Sequence, residues 1–276
     1  MLSVASVATT KTYTEFLLLK YSLEQYHRCS WYVSCDQVVH EKIKDIPNVT
    51  SLPLVKTDNC DHNINSLELQ QNFINLVLTK FDACEKGIEE NGYCLFFDSD
   101  IIFTNPIEDR VVELFTNPSL DGIVSPHMTN NWANEAKHGY YNVGMFVAKN
   151  LEMLMQWRHM SKNHRQLGMY YEQKPLEYVH RSYVTANFPI YYNIGWWRFN
   201  EEHTKNRLEK LRLENKSIYF GNNPAVNFHM HTLKNIDYQN FGQFLVDKIF
   251  GLMKNSSNQK YHEFMEYYGQ ISKLSV

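Results

Sequence analysis

A chain of 276 residues can bury a substantial core, and 43% apolar with 21% charged residues is the balance of an ordinary folded protein, not of a disordered one. The formal net charge of −3 and the absence of long Lys/Arg runs exclude a basic grip on a nucleic-acid backbone, so no nucleic acid is expected as a partner. Five cysteines (Cys29, Cys35, Cys60, Cys84 and Cys94) form no C-x-x-C pair and are odd in number, which argues against a complete disulfide framework. With no 18-residue apolar run and no basic-then-apolar leader, the expectation is a cytoplasmic protein without an integral membrane segment.

In chain order, Ser3–Ala8 reads as a strand and Tyr13–Tyr26 as a helix, its apolar positions recurring at helical spacing. Ser30–Ser34 is the second strand, Val38–Lys44 a short helix and Val49–Val55 a third strand, followed by the polar loop Lys56–Asn65. Ser66–Ile88 reads as one long helix. The run Tyr93–Phe97 is continuously apolar, as expected of a strand covered on both faces, and it ends in Asp98-Ser99-Asp100. This β/α alternation implies a doubly wound α/β sheet, in which ligands bind beyond the carboxyl ends of the strands. Further on come a helix near Glu108–Phe115, strands at Gly122–Ser125 and Val143–Ala148, a helix over Leu151–Lys162 and an aromatic segment, Tyr191–Phe199. Phe241, Phe244, Leu245, Ile249 and Leu252 form a last helical stripe, expected to pack back onto the domain and not onto a membrane surface or partner.

Asp98 and Asp100 are two apart, so in an extended chain both carboxylates point to one side of a strand end. Oxygen pairs of this kind suit hard divalent cations such as Mn²⁺ or Mg²⁺, with diphosphate oxygens completing the shell. A lone Asp-x-Asp is commonly a solvated turn, but two carboxylates directly after a buried strand are costly without a partner.

The segment Gly92-Tyr-Cys-Leu-Phe-Phe-Asp-Ser-Asp-Ile-Ile-Phe-Thr-Asn-Pro106 resembles the Asp-x-Asp segment of nucleotide-diphospho-sugar glycosyltransferases with the GT-A fold. Ala8-Thr9-Thr10, Ser34-Cys35-Asp36, Lys80, Asn142-Val-Gly144 and His229-Met-His231 follow the order of that family's features along most of the chain. The resemblance implies a Rossmann-like α/β fold with a mixed, mostly parallel central sheet flanked by helices, and a Mn²⁺ or Mg²⁺ ion on Asp98, Asp100 and a C-terminal histidine. His229 and His231 share a strand face; His231 is taken as the ligand because it is nearer the following loop. The resemblance further places Thr9, Thr10 and Tyr13 at the nucleoside, Asp36 at the base or ribose, and Ser99, Asn142, Gly144 and Gln173 at the donor. Lys80 would meet the diphosphate, or, as a lysine near a helix end, remain a solvated charge. Asn142-Val-Gly144 would be a turn under the sugar. Glu172 stands where relatives often carry Asp-Gln and is the candidate base, with Asp100 the other catalytic carboxylate. His127, Trp196 and Trp197 are candidate acceptor contacts, Trp196 and Trp197 by stacking, although burial is the commoner fate of such aromatics.

The expected function is transfer of a sugar from a nucleotide-diphosphate donor, taken as UDP-linked, to a glycan or glycoprotein acceptor. One domain is expected, with residues 1–105 binding the nucleotide sugar, 106–235 shaping the acceptor side and 236–276 forming a helical segment. Two other readings stand beside it: a noncatalytic carbohydrate-binding protein, and a sugar nucleotidyltransferase, which usually carries a glycine-rich phosphate loop that is not seen here.

Overall fold

The computed structural model describes residues 1–56, 66–129, 131–199, 208–230, 232 and 239–275. Seven strands form the main sheet: β1 (Leu2–Ala8), β2 (Cys29–Cys35), β3 (Val49–Leu52), β4 (Cys94–Phe97), β6 (Gly122–Pro126), β7 (Tyr141–Ala148) and β8 (Thr185–Asn187), in the order β3-β2-β1-β4-β7-β6-β8. A short strand, β5 (Ile101–Phe103), lies outside it. Pairing is parallel from β3 through β4 and again between β6 and β8, whereas β7 runs antiparallel to both of its neighbours. The chain winds outward from β1 to β3 and returns to β4 on the other side of β1. A crevice is therefore left where the order reverses, beyond the ends of β1 and β4.

Helices cover this sheet on both faces: α1 (Tyr13–Glu24), α2 (Gln37–Ile43), α3 (Leu67–Asn91), α4 (Asp109–Thr116), α6 (Leu151–Lys162) and α7 (Gln173–Val179), while α5 (Trp132–His138) lies against α7 and buries no side chain. Strand alternation explains the two layers. Leu95 and Phe97 join the core under α1, α2 and α4, while Cys94 and Phe96 join the core under α3 and α6. The long helix starts where the sequence indicates, with Ser66 Oγ accepting from the Leu69 N–H at 3.1 Å, but runs three residues past Ile88 to Asn91, stopped by left-handed Gly92. Val49–Val55 shortens to β3, because Pro53 cannot donate to a ladder.

Beyond the main sheet, β10 (Leu211–Glu214), β11 (Ser217–Phe220) and β12 (Asn223–Pro224) make a small meander. A third sheet has the order β5-β13-β9, where β9 is Ile194–Gly195 and β13 is Asn227–His229. The last two helices, α8 (Gln239–Lys254) and α9 (Gln259–Ile271), close over a third core with these small sheets. The expected inward packing of the C-terminal stripe holds for Leu245, Ile249 and Leu252, whereas Phe244 turns outward and is 53% exposed. No described helix is long and apolar enough to cross a membrane, and Cys29, Cys35, Cys84 and Cys94 are buried and free.

This packing predicts that Ile249→Ala costs about 2–5 kcal/mol of stability, as expected for truncating a buried branched side chain. Phe244→Ala should stay within about 0.5 kcal/mol. Urea unfolding of both variants measures the difference; equal costs would contradict the inward face described.

Candidate functional site

β4 ends at Phe97, and the chain then turns, with the Ile101 N–H donating to the Asp98 carbonyl at 3.2 Å, before leaving as β5. The two carboxylates therefore converge through a turn and not, as the extended-chain reading expects, by strand alternation. A tight turn brings Asp98 and Asp100 together while delivering Asp100 to the third sheet. There β13 pairs with β5 so that His229 lies opposite Ile101, and the Met230 N–H donates to the Asp100 carbonyl at 2.8 Å. That register places His229 Nε2 2.9 Å from Asp100 Oδ1 and 3.8 Å from Asp98 Oδ2. Asp98, Asp100 and His229 form a cluster whose ligand atoms lie within 4.8 Å of one another, a group that could hold a metal ion. Asp100 and His229 are each 5% exposed, and Asp98 keeps an open edge. His231 lies outside the described residues.

Gly144 is the floor of this cluster. The Asp98 N–H donates to the Gly144 carbonyl at 2.8 Å, and a Cβ on Gly144 would stand 2.4 Å from His229 Cε1 and 2.5 Å from Asp98 Oδ2. Asn142 and Gly144 belong to β7 itself, at the level where its register with β6 shifts, so the expected turn before the strand is a bulge in the pairing. Trp197 closes another side, its ring edge-on to His229 at 5.0 Å between centroids. The indole N–H donates to the His127 carbonyl at 2.9 Å, and Gly195 leaves the room for that ring, which lies 2.1 Å from where a Cβ would be. Trp197 is half-buried and packs edge-on against the cluster, while Trp196 packs partly on the third core. His127 is buried, its Nδ1 2.8 Å from the Gly139 carbonyl and its Nε2 3.3 Å from Asn142 Nδ2.

Lys80 sits in the middle of α3 and is 4% exposed, so the solvated-charge reading fails. Its Nζ lies 2.9 Å from Glu172 Oε1 and 4.9 Å from the centroid of the Phe96 ring. Burial pulls its pKa down, but the attraction of Glu172 and Asp98 more than offsets this and the net shift is upward. For Asp98, burial raises the pKa against the opposing pull of Lys80 and His229, and the neighbouring Asp100 and Glu172 raise it further. Glu172 is itself held from behind, its carbonyl accepting from the Trp157 indole at 2.7 Å. Gln173 follows it at the start of α7, its backbone against Gly139.

At the far side of the crevice, the Thr10 N–H and hydroxyl donate to Asp36 Oδ2 at 2.5 and 2.9 Å, while Asp36 Oδ1 caps α2 through the Val39 N–H at 2.9 Å. Thr9 is buried and hydrogen-bonds Thr12, Ser99 is buried in the acidic turn, and the Lys42 ammonium lies 4.6 Å from the centroid of the Tyr13 ring. Sequence reasoning weighed His229 but chose its neighbour, and it missed Asn193, Asn227, Lys42 and Arg198. The tripeptide Asn193-Ile-Gly195 was the available signal, since asparagine followed by glycine in an otherwise apolar aromatic run marks an irregular backbone; Asn193 has φ +48°. Arg198 is buried and donates to the carbonyls of Ile190, Tyr192 and Pro126.

No family model matches the chain, and no curated protein matches its sequence. Among solved structures, the galactosyltransferase LgtC in complex with donor and acceptor sugar analogues aligns with a TM-score of 0.55 at 9% identity, over 95% of this chain and 100% of that one. Mouse xyloside xylosyltransferase 1 aligns with a TM-score of 0.53 at 11% identity, over 85% and 99% of the two chains. The glycosyltransferase GlyE of Streptococcus pneumoniae TIGR4 aligns with a TM-score of 0.55 at 11% identity, over 99% of this chain and 63% of that one. The fold is the GT-A fold of these glycosyltransferases, as the Asp-x-Asp segment indicates.

Two predictions follow from the packing around the cluster. Gly144→Ala should displace His229 or Asp98 and destabilise the protein by about 1–3 kcal/mol, the usual cost of overpacking, read by chemical unfolding; an unchanged midpoint would mean that the cluster yields freely. Burial lowers the His127 pKa from 6.5 to about 4. The unfolded chain therefore takes up this proton at a higher pH than the folded one. The stability contribution is complete above the unfolded value and is lost as pH falls toward the folded value, by up to about 3 kcal/mol. His127→Gln should flatten that part of the stability profile, and an identical acid slope in the variant would contradict it.

Proposed function

We propose that the protein is a metal-dependent glycosyltransferase that moves a sugar from a nucleoside-diphosphate donor, most simply UDP-linked, to a glycan or glycoprotein acceptor. The observation that carries this reading is the Asp98–Asp100–His229 cluster at the carboxyl end of β4, beside the crevice of a fold shared with glycosyltransferases. Two carboxylates and an imidazole suit Mn²⁺ or Mg²⁺, and their spacing fits one ion. His229, and not the neighbouring His231, is the third ligand in this reading. A divalent ion held there would neutralise the charge gathering on the departing nucleoside diphosphate.

The other residues act around that centre. Lys80 adds a fixed positive charge on the α3 side of Asp98, and Glu172 holds the ammonium in place. We keep Glu172 as the carboxylate at the sugar end, with Gln173, Asn142 and Gly144 completing the donor pocket. Thr10, Tyr13 and Asp36 form the nucleoside end at the carboxyl edges of β1 and β2; Asp36 is already bonded to Thr10, so its part is to shape the backbone there. The chain is read as one domain, with residues 1–105 binding donor, 106–235 facing acceptor and 236–276 bracing the third core.

Asp100→Asn removes charge but little volume, so it should leave the fold intact and abolish Mn²⁺-dependent UDP binding in calorimetry, along with donor turnover. His229→Ala should weaken that binding by about 10–100-fold, the usual scale for damage to a metal's shell. Unchanged metal-dependent affinity in folded Asp100→Asn would reject the site. Donor binding without transfer or hydrolysis in the wild type would favour a noncatalytic carbohydrate-binding protein.

A further inference from the structure

A buried hydrogen-bond network behind the cluster has only one consistent proton arrangement, and it can be read from a backbone donor outward. The Gly144 N–H donates to Asn142 Oδ1 at 3.0 Å, and because a backbone N–H can only donate, the Asn142 atom there is the carboxamide oxygen. The Asn193 side-chain atom 2.9 Å from the same oxygen must then be its nitrogen, Nδ2, which also lies 2.9 Å from Ser125 Oγ. That leaves Asn193 Oδ1 facing His229 Nδ1 at 3.2 Å. A carboxamide oxygen only accepts, so His229 Nδ1 carries a hydrogen, and Nε2 is turned toward Asp98 and Asp100, where it either donates a second hydrogen to Asp100 Oδ1 at 2.9 Å or yields that place to a cation. Rotating the Asn193 amide would set two oxygens against each other at Asn142, which rules that arrangement out.

The backbone of Asn193 is held as firmly as its side chain. Its N–H donates to Asn227 Oδ1 at 2.6 Å, two residues before His229 in β13, and its left-handed φ of +48° aims the side chain into the network. Asn193, Asn227 and Ser125 are each at most 1% exposed, so water does not compete for these bonds. The β9–β13 pairing, with Gly195 opposite His229, fixes the same histidine from the strand side.

We propose that Asn193 is a positioning residue for the metal centre: by accepting from Nδ1 it fixes the His229 ring so that Nε2 is the nitrogen offered to a cation shared with Asp98 and Asp100. The proposal rests on the metal reading above and extends it beyond the ligands. An imidazole whose far N–H is held by a fixed acceptor is a better oriented and more basic ligand.

Asn193→Gly is the direct test, because glycine accepts the positive φ and removes only the side chain. Asn193→Asp keeps an oxygen toward His229 and tolerates the same backbone, but its second oxygen must carry a hydrogen to face Asn142 Oδ1. The first readout is the ¹⁵N spectrum of the His229 ring in metal-free protein, which distinguishes hydrogen on Nδ1, on Nε2 or on both. Wild type and Asn193→Asp should show hydrogen on Nδ1, and Asn193→Gly a mixture of tautomers. The second is Mn²⁺ affinity by calorimetry, expected to fall about 10–100-fold in Asn193→Gly. A wild-type spectrum with hydrogen on Nε2 alone overturns the proposal whether or not either variant folds. So does an Asn193→Gly protein with wild-type tautomer and wild-type Mn²⁺ affinity. If wild-type protein fails to bind Mn²⁺ at all, the metal reading falls, and the tautomer spectrum still decides whether Asn193 orients the ring.

Discussion

Two carboxylates held side by side at the end of a buried strand are the constraint on which the rest of the molecule depends. Asp100 is almost fully enclosed, and its charge sits within a few ångströms of Asp98. Left alone, such a pair would take up a proton or drive the turn open. Positive and polar groups surround it instead: the Lys80 ammonium on the α3 side, the His229 imidazole from β13 and the Asp98 N–H bond to Gly144 beneath. A cation between the carboxylates would complete the same compensation, and this joins the energetic requirement to the proposed chemistry.

The layers of the fold divide that task. The parallel strands β1 and β4 fix where the acidic turn emerges, and their two cores leave its direction little freedom. The antiparallel β7 brings Gly144 under the turn, since only a residue without a side chain lets Asp98 and His229 approach so closely. The third sheet then holds His229, on β13, beside Asp100, which immediately precedes β5. Polar residues behind it, Asn193, Asn142 and Ser125, are satisfied by one another, as a buried network must be if it is to specify a single arrangement.

The first half of this design was legible in the sequence because it is built from local signals. Alternating apolar runs gave β1 to β4 and the helices between them within a few residues, and the acidic pair after Tyr93–Phe97 stood out because charge rarely follows such a run. The second half is non-local. Strands as short as β5, β9 and β13 carry no periodicity of their own and exist only because they pair with one another. That His229 joins the acidic pair depends on the register of β13 against β5, which no spacing rule supplies. Spacing leaves Lys80 open between a diphosphate contact and a solvated charge, because the burial of its helix face depends on Phe96, Glu172 and α6. The packing of Trp197 beside His229 is not legible either, because the space that Gly195 leaves for its ring is invisible in one dimension.

The pairing of β13 with β5 also bears on how the chain reaches its native state. It joins a strand near residue 102 to one near residue 228, so the cluster closes only after more than a hundred intervening residues have been gathered in. Contacts of such long sequence separation carry a loop-closure cost that must be met before they give anything back, and they tend to form late. The main sheet through β4 can organise from its own neighbouring segments, whereas the cluster waits for the carboxyl-terminal third of the chain. Competence to bind a cation is therefore a property of the completed fold, and a cation bound there would act as a clasp between the earliest and latest parts of the chain to assemble.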